Sequence, residues 1–449
     1  MKSGFLRMTA LALTMSIIPM ATSAMSAVEA DTQQEIARFV DIFERVRLDY
    51  VDEVDDDKLI KGAIDGMLSS LDPHSSFLDA RDFENLRLQT DGAYGGLGLS
   101  VTMEDGAVKV IAPTKDTPAD RAGIKAGDFI THLDGRLIYG GTLDDAVDEM
   151  RGEPGTKITI TVVRPGRDLP MEIELTRAII DLKPVTWEIK DDIGIISISS
   201  FTDEVGNDVI AAIAGIEEKL GHKPVGYVLD LRSNPGGLLD EAVAVSDVFL
   251  EKGEIVSQRG RHRGDIERFY ARPGDSAKGL PVIVLVDSGS ASASEIVAGA
   301  LQDHHRALIM GERSFGKGSV QTLLPLSRTT ALKLTTARYF TPSGRSVQEG
   351  GISPDIAVPQ ISDPDYKSRL KFRVRESDLR GHLINEVDLD DKVVEEDKID
   401  DPRFSATPEE LEEKGIKDFQ LHYAMQTLQR TTAASARLAA TRPVQGRRN

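Results

Sequence analysis

The strongest constraint on the fold of this chain is an alternation of apolar strands and helices between residues 193 and 356. Each short apolar run is followed by a longer segment in which apolar residues recur at helical spacing. The predicted strands are 194–199, 225–231 and 282–286, and the predicted helices are 205–220, 238–250 and 292–301. This order predicts a parallel or mixed sheet covered by helices, with reactive groups where strands end and helices begin.

The junction after the strand at 282–286 carries three serines among small residues: Ser290, Ser292 and Ser294. Small side chains leave room for a substrate backbone. A hydroxyl at a helix N-terminus also lies at the positive end of the helix dipole, which helps to stabilise an alkoxide. The pattern therefore predicts a nucleophile here. Spacing alone does not choose among the three serines, and one of them could simply cap the helix.

A nucleophilic serine needs a base. His304 and His305 would lie roughly 18 Å from Ser292 on a continuous helix, so both are poor candidates. Lys317 is the better one, because the glycines on either side of it let the chain approach another backbone closely. Burial in a dry cleft would lower the pKa of this amine far enough for it to accept a proton near neutral pH. An exposed loop lysine is the alternative.

The segment 311–317 also fits most of the phosphate-binding pattern G-x-x-x-x-G-K. That pattern requires Ser or Thr next and then a helix, whereas Gly318 and the strand-like residues 320–326 follow. Nucleotide binding is therefore a remote alternative.

Residues 91–178 have a different character, with short strands punctuated by glycine and one clear helix. The signature Pro-Ala…Ala-Gly-Ile-x-x-Gly-Asp-x-Ile at 118–130 resembles that of a PDZ domain. The resemblance implies that backbone amides of a glycine loop capture a terminal carboxylate while the peptide adds as a strand, with a helix as the other wall of the groove. It assigns peptide binding to Gly96, Leu97, Gly98, Leu99 and Val147. A β-domain that has lost its ligand is the alternative.

The N-terminal residues have the pattern of a secretory signal peptide over 1–27. Lys2 and Arg7 precede a short apolar run, and small residues follow it. The run is short for a membrane span, and a retained anchor is the alternative. Periplasmic location is expected, with membrane association left open. Residues 32–90 then predict helices that pack on another surface, and His74, in the turn between them, is interpreted as a capping and packing residue.

Two bulk properties narrow the function further. The chain has no cysteine, so neither a disulfide nor a cysteine-linked lipid is available to it. Its formal net charge is −19, which disfavours nucleic acid and anionic membranes as general partners.

Over residues 32 to 360 the chain resembles the C-terminal processing peptidases, the Ser/Lys proteases of family S41. The motifs that carry the resemblance occur in the family's order: Leu-Asp-Pro-His-Ser at 71–75, the PDZ unit, Asp-Leu-Arg-Ser-Asn-Pro-Gly-Gly at 230–237, Gly-Ser-Ala-Ser-Ala-Ser-Glu at 289–295 and Phe-Gly-Lys-Gly-Ser-Val-Gln at 315–321. The resemblance implies a serine endopeptidase that recognises protein C-terminal tails. It implies no metal or cofactor.

The resemblance also assigns roles to residues. It places the nucleophile on Ser292, the base on Lys317 and a residue that orients the lysine on Gln321, provided that the chain turns locally between the last two. Oxyanion donors are implied at Ala293 and at one glycine of the 234–237 turn, for which Gly237 is preferred to Gly236. The remaining assignments are Asp303, for which the helix spacing favours a structural role, and Arg151, a candidate link between the PDZ unit and the protease core.

The expected fold is a multidomain α+β and α/β protein. Its predicted parts are an N-terminal helical region at 32–90, a PDZ domain at 91–178, a mixed αβ protease core at 179–360 and a C-terminal extension at 361–449, partly helical over 409–438 and partly disordered. Related enzymes assemble through terminal helices, so a homo-oligomer is expected, and an adaptor protein that delivers substrate is left open. A catalytically silent PDZ adaptor is the rival function.

Overall fold

The computed structural model describes residues 21–90, 93–104, 106–138, 143–167, 169–181, 183–371, 373–386 and 403–441. The chain divides into two compact units, residues 1–67 and 68–449. The first unit contains helix α1 (Ala21–Asp49) and most of helix α2 (Asp56–Ser69).

The helices predicted for the first unit are present. The apolar stripe predicted on α1 faces solvent, since Ile36 is 59% and Phe39 46% exposed. Most of the predicted signal segment, residues 1–20, lies outside the described residues, and residues 21–27 form the start of α1. Among the described helices, none combines the length and apolar character needed to cross a bilayer.

The second unit begins with strand β1 (Ser76–Leu78) and helix α3 (Ala80–Thr90), and the chain then enters the region that resembles a PDZ domain. The elements of this region are β2 (Ala93–Gly96), β3 (Leu99–Glu104), β4 (Ala107–Pro113), α4 (Pro118–Arg121), β5 (Phe129–Leu133), β6 (Arg136–Leu137), α5 (Leu143–Met150), β7 (Lys157–Val163), β8 (Met171–Thr176) and β9 (Ala178–Asp181). The main sheet has the order β3-β4-β5-β7-β8, so β3 has an open edge. The entering strand β2 and the leaving strand β9 pair as a two-stranded ribbon.

The alternation predicted after residue 193 builds the central sheet. Its elements are β10 (Val185–Lys190), β11 (Ile193–Ile198), α6 (Val205–Leu220), β12 (Gly226–Asp230), α7 (Leu239–Phe249), β13 (Gly253–Gly260), β14 (Ile266–Ala271), β15 (Val282–Val286), α8 (Ala293–Asp303), β16 (Ala307–Gly311), β17 (Ser319–Pro325), β18 (Ala331–Phe340) and β19 (Ile356–Ala357). The sheet order is β10-β11-β12-β15-β16-β19, parallel except for β10. Helices α6, α7 and α8 pack on it in the main apolar core.

A second sheet, with the order β1-β18-β13-β14 and β17 beside β18, contains strands that the sequence pattern largely missed. Its residues are half-buried, and their alternation is weaker than that of the fully apolar central strands. Pairing of β1 with β18 brings the Leu-Asp-Pro-His-Ser turn onto this sheet.

The chain after β19 forms α9 (Tyr366–Lys371), a 3₁₀ turn (Glu376–Asp378), α10 (Pro408–Glu413) and α11 (Phe419–Thr441). The single helix predicted over 409–438 is therefore wrong: a turn at Lys414–Asp418 separates two helices. Helix α11 packs through Leu421, Met425 and Leu428 onto the other face of the central sheet. This part of the predicted extension thus completes the core, while the acidic stretch 388–401 lies outside the described residues.

Candidate active site

Ser292 lies at the point where strand β15 gives way to helix α8. Its backbone angles, φ 54° and ψ −112°, are sparsely populated by residues other than glycine, so this turn is strained. This backbone conformation places the Ser292 side chain at the N-terminus of α8.

The two rival serines are occupied elsewhere. Ser290 is fully buried and donates from Oγ to the carbonyl of Leu231 at 2.8 Å. Ser294 is also fully buried and donates to the carbonyl of Asn234 at 2.9 Å. Ser292 is only partly buried, so the structure separates three residues that sequence spacing could not.

The glycine turn that follows β12 lies against Ser292. A Cβ built on Gly236 would lie 2.8 Å from the Cβ of Ser292 and 2.9 Å from the amide nitrogen of Ala293. The two strand-to-helix junctions therefore meet at the carboxyl edge of adjacent parallel strands.

The hydrogen bonds of this turn distinguish its two glycines. The amide of Gly236 donates to the side-chain oxygen of Asn234 at 2.9 Å. The amides of Gly237 and Ala293 donate to no other described residue. Two backbone donors thus stay available beside Ser292, and Gly237 rather than Gly236 is one of them.

The carboxylate of Asp287 joins these two junctions. It accepts from the backbone amide of Ser233 at 2.8 Å and from that of Gly289 at 2.9 Å. It also accepts from the hydroxyls of Ser233 and Ser290. The glycine turn and the serine turn are therefore fixed to each other by one side chain.

Glu295 joins the serine turn to the loop that carries Lys317. This side chain is fully buried, and its Oε2 accepts from the amides of Ser292 (2.7 Å) and Lys317 (3.0 Å). Its Oε1 accepts from the Ser314 hydroxyl (2.5 Å) and the Gly316 amide (2.7 Å). Burial raises the pKa of Glu295 to about 7, against these four donors, which favour the ionised form. One carboxylate thus sets the positions of both segments.

Lys317 is partly buried in a loop that two glycines hold against residues 348–349. Burial lowers the pKa of this amine, and the charge of Lys333 lowers it further, while Glu376, Glu295 and Asp72 act in the opposite direction. The Tyr339 hydroxyl donates to the carbonyl of Lys317 and is hydrogen-bonded to the side chain of Ser292. A lysine acts as a general base only when its amine is neutral, and a lowered pKa of Lys317 favours that neutral form.

Gln321 lies in β17, where the pairing with β18 shifts register between Val320 and Gln321. The extra residue at this irregularity is Thr336 on β18, and β17 continues as a strand through Gln321. The Gln321 amide nitrogen donates to Ser319 Oγ at 2.9 Å and to Thr335 Oγ1 at 3.2 Å. Its role toward Lys317 stays a prediction.

Asp303 and His304 lie at the far end of α8. Asp303 accepts from the amide of Ser343 at 2.9 Å, and the ring of His304 contacts the carbonyl of Glu254 at 2.7 Å. The first contact fixes the loop after β18, and the second contact joins α8 to strand β13.

Two residues near Lys317, namely His74 and Glu376, were not identified from the sequence as part of the site. His74, interpreted as a capping and packing residue, contacts the carboxylate of Glu376 through Nε2 at 2.9 Å. Glu376 is fully buried, and it lies in the segment 361–449, where no functional residue was expected. A histidine at a turn and one acid among many gave no signal, because their contact joins residues 302 positions apart.

The predicted peptide groove of the PDZ-like sheet has the expected parts. The amides of Leu97 and Gly98 donate to no other described residue, and Leu99 begins the open-edged strand β3. Val147 lies half-buried on α5. A Cβ on Gly98 would overlap the Thr117 side chain at 2.3 Å, which explains the glycine at this position.

Arg151 follows α5 directly and precedes Gly152. The Gly152 amide donates to the carbonyl of Gly95 at 3.1 Å, which attaches this end of the PDZ-like region to the β2–β9 ribbon. The regulatory role of Arg151 stays a prediction. Within the described ranges, no cluster of three His, Cys, Asp or Glu side chains could hold a metal ion.

Comparisons with known proteins agree with this architecture. The profile of peptidase family S41 matches residues 192–358, a PDZ domain profile matches 95–175, and the profile of the activating protease CtpB N-terminal domain matches 7–82.

Two relatives match most of the chain. A carboxy-terminal-processing protease of Bartonella bacilliformis is 54% identical over 372 residues, which cover 83% of this chain and 86% of the relative. The carboxy-terminal processing protease CtpB of Bacillus subtilis is 34% identical over 375 residues, covering 82% and 76%. Among solved structures, a photosystem II D1 C-terminal processing protease is 29% identical, with a TM-score of 0.45 and coverage of 77% and 97%.

Proposed function

The chain belongs to the carboxy-terminal processing peptidases of family S41 and is a serine protease, and from this premise we propose that Ser292 is its nucleophile and Lys317 its general base. The observation that carries the proposal is the Glu295 carboxylate, which accepts from the amides of both residues. It is supported by the lowered pKa of Lys317 and by the burial of both rival serines.

In the proposed cycle, neutral Lys317 takes the proton of the Ser292 hydroxyl as the oxygen attacks a peptide carbonyl. The free amides of Gly237 and Ala293 hold the oxyanion of the tetrahedral intermediate. The lysine ammonium then protonates the leaving amine, and water hydrolyses the acyl-enzyme ester.

Tail recognition is proposed for the PDZ domain. The free amides of Leu97 and Gly98 suit a terminal carboxylate, and the open edge of β3 suits an added peptide strand. Protein substrates with accessible C-terminal tails follow from this chemistry. Arg151, at the junction with the β2–β9 ribbon, is proposed to transmit tail binding to the protease core.

The nucleophile and the base are tested by Ser292→Ala and Lys317→Ala, assayed on fluorescein-labelled casein and on a peptide with a free C-terminal tail. Both variants are expected to lose cleavage by a factor on the order of 10⁴ or more, while the tail peptide still binds. Ser246→Ala is the matched control, since this buried hydroxyl donates to the carbonyl of Ala242 within helix α7. Full cleavage by either Ser292→Ala or Lys317→Ala would refute the mechanism.

Export to the periplasm is proposed on the charge and hydropathy pattern of residues 1–27, and self-association on the exposed apolar face of α1. Cell fractionation of the full chain beside a chain starting at residue 28 tests the first proposal. Light scattering of the purified protein tests the second. A cytoplasmic full chain, or a strictly monomeric protein, would contradict the respective proposal.

A further inference from the structure

Glu376 is a fully buried acid for which the proposed cycle has no role. It lies in the 3₁₀ turn at Glu376–Asp378, well beyond the residues matched by the S41 profile. A buried carboxylate carries a large desolvation cost unless it is paired and hydrogen-bonded. Its partners therefore indicate why the position is occupied by an acid.

Two partners of Glu376 lead to the loop of Lys317. Its amide donates to the carbonyl of Phe315 at 3.2 Å, two residues before the lysine. Its Oε1 accepts from Gln348 Nε2 at 3.1 Å, and the Oε1 of the fully buried Gln348 accepts from the amide of Gly318 at 3.0 Å. Glu376 and Gln348 thus fix the loop on both sides of Lys317.

The third partner of Glu376 is His74, which lies in the turn before β1. Its Nε2 lies 3.0 Å and 2.9 Å from the two carboxylate oxygens of Glu376, and its amide donates to Asp72 at 2.8 Å. Asp72 also accepts from the hydroxyls of Ser75 and Thr335. The Leu-Asp-Pro-His-Ser turn therefore reaches the environment of the base through Glu376.

We propose that Glu376, held by His74 and Gln348, is a positioning residue for Lys317: it fixes the lysine loop and supplies the negative charge that stabilises the ammonium formed when Lys317 takes the serine proton. The inference rests on Lys317 being the base. Its role is comparable to that of a buried acid that stabilises the protonated base of a catalytic triad.

The pKa shifts of Glu376 and of Lys317 are both consistent with this role. Burial would raise the pKa of Glu376, but the hydrogen bonds of His74 and Gln348 and the charges of His74 and Lys317 bring it below its usual value, so the group is ionised at neutral pH. For Lys317, burial is the largest influence and lowers the pKa, while Glu376 opposes that shift. The titratable or charged groups that face the lysine are Lys333 and Tyr339 on β18, Glu295 on α8, Asp72 in the turn before β1, and Glu376.

This role gives two effects of opposite sign in Glu376→Gln. Without the negative charge, Lys317 stays neutral to lower pH, so the acidic limb of the kcat profile moves toward lower pH. The ammonium is less well stabilised, so the alkaline plateau of kcat falls on the order of tenfold to a hundredfold. A residue with a purely structural role would lower the plateau without moving the limb.

The experiment measures kcat and KM for labelled casein cleavage by the full chain across pH, alongside the pH dependence of Ser292 labelling by a fluorophosphonate. Glu376→Asp retains the charge but withdraws it from His74, and should keep the limb in place with a reduced plateau. Glu349→Gln is the matched control: Glu349 packs on the same loop, but its carboxylate binds His382 (2.7 Å), so the limb should not move.

An unmoved limb in Glu376→Gln overturns the inference, whether or not the plateau falls, and so does full parental activity in Glu376→Asp. If Lys317→Ala retained activity, the base itself would be wrongly assigned. An inactive Lys317→Ala together with an unaffected Glu376→Gln would refute the role of Glu376 alone.

Discussion

The nucleophile and the base of this site are assembled in different ways. The groups around Ser292 come from two adjacent strand-to-helix junctions, so the strand order of the central sheet brings them together. The groups around Lys317 come from separate parts of the chain: the turn at 72–75, strand β18, Gln348 and Glu376. Glu295 and Tyr339 belong to both sets.

The difference follows from the chemistry of the two groups. An oxyanion needs backbone donors, which a local turn supplies without any distant partner. An amine that must become neutral needs exclusion from water together with a controlled balance of charges, and several elements must pack around it to provide both. We therefore expect local substitutions to damage the nucleophile side and remote ones to damage the base side.

Among the substitutions that test this contrast, Gly237→Ala is expected to have the largest effect. A Cβ at this position would lie 2.2 Å from the carbonyl oxygen of Phe201, and φ is +146°, so the turn must move and its free amide must move with it. Loss of one oxyanion donor lowers kcat roughly 10²- to 10³-fold. Steady-state kinetics should show this loss with little change in KM.

Gly279→Ala is the control for backbone strain. Gly279 has φ +75° with open space around it, so the variant should lose on the order of 1 kcal/mol of stability and keep its kcat. Parental kcat in a folded Gly237→Ala protein would show that the oxyanion is held elsewhere.

The same difference explains what the sequence could predict. The strand at 282–286 and the helix at 205–220 match the structure, because apolar periodicity is a local property. Ser292 and Lys317 were chosen with the help of family motifs, since spacing left Ser290 and Ser294 open. The half-buried strands β13, β14 and β18 gave little periodic signal.

The contacts of Glu376 with His74 and of Asp418 with Arg232 could not be predicted, for a physical reason. Each joins segments that are distant in sequence, and an acid that will be buried looks the same in the sequence as one that stays exposed. The predicted end of the core at residue 360 had the same cause: α11 completes the core only because it packs on a sheet formed by the earlier strands.

The second prediction concerns Glu295, which both sides share. Burial raises its pKa in the folded protein to about 7, from a usual 4.5, so between these values the native state holds a proton that the unfolded state has released. The stability that this group contributes is therefore present at low pH and is lost as the pH rises toward 7, by an amount on the order of 3 kcal/mol. Glu295→Gln should abolish this part of the pH dependence.

Urea unfolding at about pH 5 and about pH 8 measures the effect, and the exposed Glu412→Gln serves as control. Glu295→Gln should also lower kcat on the order of a hundredfold, because its amide group would face donors and displace both loops. An unfolding free energy with the same pH slope in variant and parent would contradict the assignment.

The smallest effect is expected from Asp418→Asn, which tests whether the nucleophile side also depends on a remote segment. Asp418 precedes α11 and accepts from Arg232 at 2.9 Å and 2.7 Å, and Arg232 lies two residues before the glycine turn at 234–237. Weakening this charged pair should cost about 1 to 2 kcal/mol of stability. If all of that energy were felt at the turn, kcat would fall by roughly 5- to 30-fold, and about 30-fold is therefore the upper limit. The control is Asp363→Asn, measured in the same assay. A larger loss of kcat in Asp418→Asn would mean that the C-terminal segment positions the oxyanion donors as closely as Glu376 is proposed to position the base. The contrast between the nucleophile side and the base side would then be wrong.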